Sequence, residues 1–129
     1  MVKGIGIDMV EIPRMKTIME KNAGGAFLRR TFTDAEREAA ATMHDPAEYY
    51  ATRFAAKEAV FKAVAHLTPS GRFDLRIIET LNYEDGAPYV NITERLKPVL
   101  EEAGVTRILI SITTEGDCAA AYAIACDES

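Results

Sequence analysis

The chain has 129 residues, 48% apolar and 27% charged, ordinary values for a soluble protein and enough for one domain with a single core. No apolar run approaches the roughly 20 residues that span a bilayer, and Met1-Val2-Lys3-Gly4 lacks a basic-then-apolar signal pattern, so a cytoplasmic address is expected. A formal net charge of −5 argues against general nucleic-acid binding, and two cysteines and two histidines without zinc-ligand spacing leave the thiols as free structural residues.

Residues 2–11 read as a strand with Ile5, Ile7 and Met9 on one face and Gly4, Gly6, Asp8 and Val10 on the other. Glycine within a strand marks close approach by a ligand or another backbone, or else a bulge. Asp8 therefore reads equally as a candidate ligand for a hard cation and as a plain strand end. Pro13 suits the first turn of a helix from about Ile12 to Asn22, which Asn22-Ala23-Gly24-Gly25 stops. No element is assigned to Phe27–Phe32. From Arg14 to Arg30 the chain carries Arg14, Lys16, Lys21, Arg29 and Arg30 against one acid, Glu20. Such a patch either steers an acidic partner or is a solvated helix face.

Thr33-Asp34-Ala35-Glu36 is a capping box for a helix to about His44. Asp45 and Pro46 open the next helix, which runs to about Leu67 and ends in Thr68-Pro69-Ser70-Gly71. Its middle, Arg53 to Ala63, is apolar nearly all round, the mark of a buried helix. Arg53 and Lys57 share one edge, Glu58 and Lys62 another, each pair at i, i+4. Charges set into a buried helix need partners or a ligand; the plain alternative is a Glu58–Lys62 helix pair.

The second half reads as strands. Leu75–Tyr83 and Tyr89–Ile92 form a hairpin around residues 84–88. Thr93 caps a short helix to about Ala103, with Pro98 disturbing its middle and Gly104 closing it. Arg107–Thr113 and Ala119–Cys126 are the last strands, joined by a turn at 114–117. The expected plan is α+β: an N-terminal strand, helices including one long central helix, then antiparallel strands and hairpins forming a small sheet.

Gly4-Ile5-Gly6-Ile7-Asp8, Phe32-Thr33 with Glu36, and Lys57-Glu58-Ala59 with Lys62 occur in this order. Together they resemble the 4′-phosphopantetheinyl transferases, specifically the small holo-(acyl carrier protein) synthase type, over nearly the whole chain. The resemblance implies the fold of that family and transfer of the phosphopantetheine arm of coenzyme A to a serine hydroxyl of an apo acyl carrier protein. Adenosine 3′,5′-bisphosphate is the other product. It implies Asp8 and Glu58 as ligands of Mg²⁺, with Mn²⁺ as the other oxygen-seeking ion. Glu58 would activate the serine, directly or through water, and Lys62 would meet the diphosphate. Asp8, Glu58 and Lys62 are thus the catalytic candidates, and Arg53, Lys57, Lys62 and Ser111 those for coenzyme A, with Lys57 equally a structural charge. The same resemblance makes Arg14, Ile18, Phe27, Arg29 and Arg30 the docking face for an acidic carrier protein. It implies a homotrimer with active sites at subunit seams, a role in fatty-acid or specialised synthesis, and no nucleic-acid or membrane partner.

Three stretches depart from the family pattern. Ala65-His66-Leu67-Thr68-Pro69-Ser70-Gly71 replaces a glycine-containing diphosphate loop, Thr113-Thr114 stands where a histidine is common, and His44-Asp45-Pro46 occupies a usually basic position. Two other readings follow: a non-catalytic relative that binds a carrier protein through the basic first-helix region, and a metal-dependent enzyme acting on another nucleotide diphosphate.

Overall fold

The computed structural model describes residues 1–21 and 24–128; Asn22 and Ala23 of the expected helix stop lie outside the described residues. In chain order the elements are β1 (Val2–Glu11), α1 (Ile12–Glu20), α2 (Gly24–Thr31), α3 (Asp34–Ala41), α4 (Pro46–Val64), β2 (Glu79–Asn82), β3 (Pro88–Asn91), α5 (Lys97–Ala103), β4 (Arg107–Glu115) and β5 (Cys118–Cys126). Single 3-10 turns occupy Ala65–Leu67 and Leu75–Ile77. The α+β plan stands, with the strands divided between two antiparallel sheets: β1-β5-β4 and the β2-β3 hairpin.

Helix α4 begins where Asp45 Oδ1 accepts the Glu48 N–H at 3.2 Å. It is sheathed in small residues, and Ala51, Ala55, Ala56, Ala59 and Ala63 are all fully buried. Alternate residues of β5, Ala119, Ala121, Ala123 and Ala125, form the sheet surface beneath it. Two alanine surfaces let helix and sheet approach closely, and the closest approach is at β1. A Cβ on Gly4 would stand 2.0 Å from the Ala63 carbonyl oxygen, and one on Gly6 2.0 Å from that of Ala59. The bare face of β1 is therefore filled by the backbone of α4. The β1–β5 register is irregular only between Val2 and Gly4, so Gly6 and Asp8 sit in regular ladder.

The opposite face of the three-stranded sheet is open. Ile5 and Ile7 are each 58% exposed and Met9 is 64% exposed, with Leu109 and Tyr122 exposed beside them. Register rows Ile5–Ile124–Leu109 and Ile7–Tyr122–Ser111 make this one continuous surface.

Four elements differ from expectation. Gly24–Thr31 forms α2, because Phe27 packs on Phe32 and Phe54 at ring distances of 6.3 and 6.0 Å while Arg29 and Arg30 face solvent. Leu75–Ile77 coils as a 3-10 turn because Asp74 Oδ1 accepts the Arg76 N–H at 2.9 Å, so β2 starts at Glu79. Pro98 lies in the first turn of α5, where its missing N–H is harmless, not in the middle of a helix. The last hairpin is tighter than expected, since β4 and β5 pair up to Glu115 and Cys118 around Gly116-Asp117.

Candidate active site

Asp8 lies two residues beyond Gly6 on the face of β1 that meets α4. The close packing at Gly6 puts its carboxylate within reach of the helix. Lys62 Nζ donates to Asp8 Oδ1 at 2.9 Å and to the Ile7 carbonyl at 3.2 Å. The expected Glu58–Lys62 helix pair is therefore not the one formed: Lys62 reaches across to β1, the edge strand of its sheet. Glu58, one helical turn before Lys62, projects toward the same place. Burial, then the negative charge of Asp8, raises the Glu58 carboxyl above the usual carboxylate range, and Lys62 opposes the rise. The Lys62 amine is itself raised, first by its hydrogen bond to Asp8 and then by that charge, so it stays cationic.

Asp8 and Glu58 open into a cavity of about 440 Å³. Three of the expected docking residues, Arg14, Ile18 and Phe27, line that same cavity. The two candidate carboxylates and these three expected docking residues are thus contiguous. Met9, Val10, Glu11, Met15 and Phe54 complete the wall, and sequence reasoning did not assign them to the site. Phe54 had a legible signal, since it precedes Glu58 by one helical turn. Arg29 and Arg30 are exposed on the last turn of α2, outside the cavity lining.

The other basic candidates sit elsewhere. Lys57 is a correction: its side chain is wholly buried and ion-paired with Glu36 at 2.7 Å, so its amine is not presented to a nucleotide. Burial pushes that amine down, against the pull of Glu36. Arg53 lies about 140° round the helix from Glu58. It is 7% exposed, stacks 4.6 Å from the Tyr49 ring centroid and donates from Nη2 to Asn82 Oδ1 at 2.9 Å. Its Nε and Nη1 are buried without a hydrogen-bond partner, so, like Lys57, it is a correction: the guanidinium is not presented to a nucleotide. Ser111 is exposed on the outer face of β4, two strands from β1 and on the side of the sheet away from α4. One chain does not bring it to the Asp8–Glu58 cavity.

Asp8 and Glu58 suit a hard divalent cation. They are oxygen donors from two elements, burial and then the charge of Asp8 raise Glu58, and an ammonium group already occupies one side of Asp8. No group of three or more His, Cys, Asp or Glu side chains gathers among the described residues. Two carboxylates with the remaining positions left to water and substrate oxygens is the donor set magnesium favours.

Comparison with known proteins gives one answer. The holo-(acyl-carrier-protein) synthase of Desulforudis audaxviator is 41% identical over 125 residues, 97% of this chain and 93% of that one. The crystal structure of holo-(acyl-carrier-protein) synthase from Neisseria meningitidis superposes with a TM-score of 0.85 at 34% identity, covering 97% and 98% of the two chains. That of Bacillus anthracis, in complex with CoA (3′,5′-ADP), superposes with a TM-score of 0.75 at 28% identity over 97% and 96%. Residues 4–126 match the model of the 4′-phosphopantetheinyl transferase superfamily, and the chain belongs to that superfamily.

Proposed function

We propose that this protein transfers the 4′-phosphopantetheine arm of coenzyme A to a serine of an apo acyl carrier protein. The observation that carries the reading is the single cavity in which Asp8 and Glu58 meet Arg14, Ile18 and Phe27. A carrier protein seated on the last three would present its serine beside the first two. The serine oxygen bonds to the phosphorus that bears pantetheine, and the bridging P–O bond breaks. The electron pair leaves with adenosine 3′,5′-bisphosphate, and the serine proton passes to Glu58, directly or through water. A carboxyl raised by burial and by Asp8 is a better base than an ordinary one. Lys62, held by Asp8 and cationic, stabilises charge on the departing phosphate.

Asp8 and Glu58 would hold Mg²⁺, which when bound supplies charge neutralisation at the diphosphate. Arg53, buried on the far side of α4 and held by Asn82 and the Tyr49 ring, is left out of the nucleotide site. Exposed Arg29 and Arg30, with Arg14, face the acidic carrier from the rim. The proposal includes a homotrimer joined through the open sheet face, where Ser111 of one copy would serve a neighbour's coenzyme A. It also includes a cytoplasmic location, in keeping with two free thiols.

The test is mass spectrometry of an apo acyl carrier protein incubated with this protein, coenzyme A and Mg²⁺. A phosphopantetheine mass gain is expected with the wild type. It should be absent with Asp8→Ala, with Glu58→Ala and with a chelator. Binding of carrier proteins without any mass gain would replace this reading with a non-catalytic binding module.

A further inference from the structure

The mechanism above leaves the most deeply enclosed charges of the chain unused. Glu36 and Lys57 side chains are both 0% exposed and 2.7 Å apart. Every oxygen of the pair is engaged. Glu36 Oε1 accepts the Thr33 N–H at 2.9 Å, and Oε2 accepts both the Thr80 N–H and the Thr80 hydroxyl at 2.9 Å. Lys57 Nζ also donates to the Leu75 carbonyl at 3.3 Å and to that of Ile78. Four segments therefore converge on one ion pair: the start of α3 and the middle of α4, which carry it, the 3-10 turn with Ile78 after it, and β2 through Thr80.

Stability alone is a weak reason for such a cluster. A buried ion pair generally contributes no more than well-packed apolar residues of equal volume, whereas its geometry is directional. The face that α4 lays on the sheet is alanine and valine and offers it no large side-chain ridge, and a turn of 20° would swing a side-chain tip at a radius of about 6 Å by roughly 2 Å. Reacting groups need placement within about 0.5 Å. Glu58 stands in sequence between Lys57, anchored on one side of the helix, and Ala59, whose carbonyl is pressed against Gly6 on the other.

We propose that the Glu36–Lys57–Thr80 cluster is a positioning device, which sets the rotation of α4 so that the Glu58 carboxylate converges with Asp8. Glu36, Lys57 and Thr80 touch no substrate and act through Glu58. The inference rests on Asp8 and Glu58 being the reacting carboxylates.

The experiment compares the full-length wild type with Glu36→Gln, Lys57→Met, the double variant and Thr80→Val. The readouts are Tm, Mn²⁺ affinity by electron paramagnetic resonance without substrate, and kcat and KM for phosphopantetheine transfer. Each charge-removing single variant strands one buried charge and should melt lower, while the double should return to within a few degrees of wild type. If the cluster positions Glu58, the refolded double still binds Mn²⁺ about 10-fold more weakly and turns over about 10- to 100-fold more slowly. Its KM for the carrier protein changes less than its kcat, because Arg14, Ile18 and Phe27 lie on α1 and α2 and not on α4. Wild-type Mn²⁺ affinity and kcat in the double would overturn the proposal. Thr80→Val is the milder arm, independent of whether the double folds: a kcat lowered about threefold or more at unchanged KM supports positioning, and a wild-type kcat at reduced Tm overturns it. Failure of the wild type to transfer would instead count against the proposed function, and the Mn²⁺ readout distinguishes the two.

Discussion

At the residue scale, burial and the neighbouring charge of Asp8 raise the carboxyl of Glu58 while Lys62 works against them. A carboxyl with a raised folded-state pKa binds its proton more tightly folded than unfolded. Its ionisation therefore takes stability away as pH rises from the ordinary carboxylate range through the raised value. Glu58→Gln removes it. In cation-free buffer above the raised value the variant should melt above the wild type, and the gap should close as pH falls below the carboxylate range. Added Mg²⁺ should reverse the order by stabilising only the wild type, and transfer should be lost. A variant that melts at or below the wild type across this range would mean that Glu58 is not strained by its site. Strand parity and helical spacing gave the faces of Asp8, Glu58 and Lys62 but left each open between a site and a plain structural role, and the family resemblance is what joined the three into one candidate site. The partner of Lys62 was not legible, since i, i+4 spacing sees only neighbours on the same helix. The partner of Lys57 was hidden for the same reason: Glu36 read as the arm of a capping box, which it is, while its second oxygen and its ion pair depend on packing between elements.

At the element scale, the site depends on how closely β1 lies against α4. A methyl group on Gly6 would meet the Ala59 carbonyl oxygen at 2.0 Å and the Ala63 nitrogen at 2.9 Å, both backbone atoms with no rotamer to yield. Gly6→Ala must therefore push strand and helix apart, at a cost of about 1–3 kcal/mol or more. Because Asp8 is the next residue but one, the same displacement should lower kcat in the fraction that folds. Urea denaturation followed beside transfer activity checks both, and wild-type stability would show the contact to be looser than it is described. The glycine pattern had pointed to close approach by something, and the answer was the helix itself. Elements with strong local signals were the legible ones: the capping box, Asp45-Pro46, Gly104 and the alternating strands. α2 was not, because Gly24-Gly25 reads locally as a stop and its helix is held by Phe27 packing on residues up to 27 positions away. The Leu75–Ile77 turn was lost to a run of β-formers whose Asp74 cap outweighs their propensity.

At the scale of the whole molecule, two surfaces remain to be accounted for once the cavity is assigned: the basic rim and the open sheet face. The second carries the last prediction. Ile5, Ile7, Met9, Leu109 and Tyr122 project from one side of a three-stranded sheet whose other side is packed on α4, and no element among the described residues covers them. Contiguous exposed apolar surface of this kind marks an association site. Ser111 lies in the same rows, so a copy seated there would bring Ser111 to a neighbour and join the two candidate regions that one chain keeps apart. Ile5→Glu tests this without touching the cavity. The residue is exposed and four positions along the edge from Met9, so its replacement should leave the fold within about 0.5 kcal/mol. If copies associate through this face, it would place a charge in each apolar contact surface. Light scattering should find the wild type at the mass of three chains and the variant at one, with the KM for coenzyme A raised in the variant. A wild type that is monomeric at full activity would remove both the trimer and the role of Ser111, and would return the whole coenzyme A site to the side of α4 that carries Lys62.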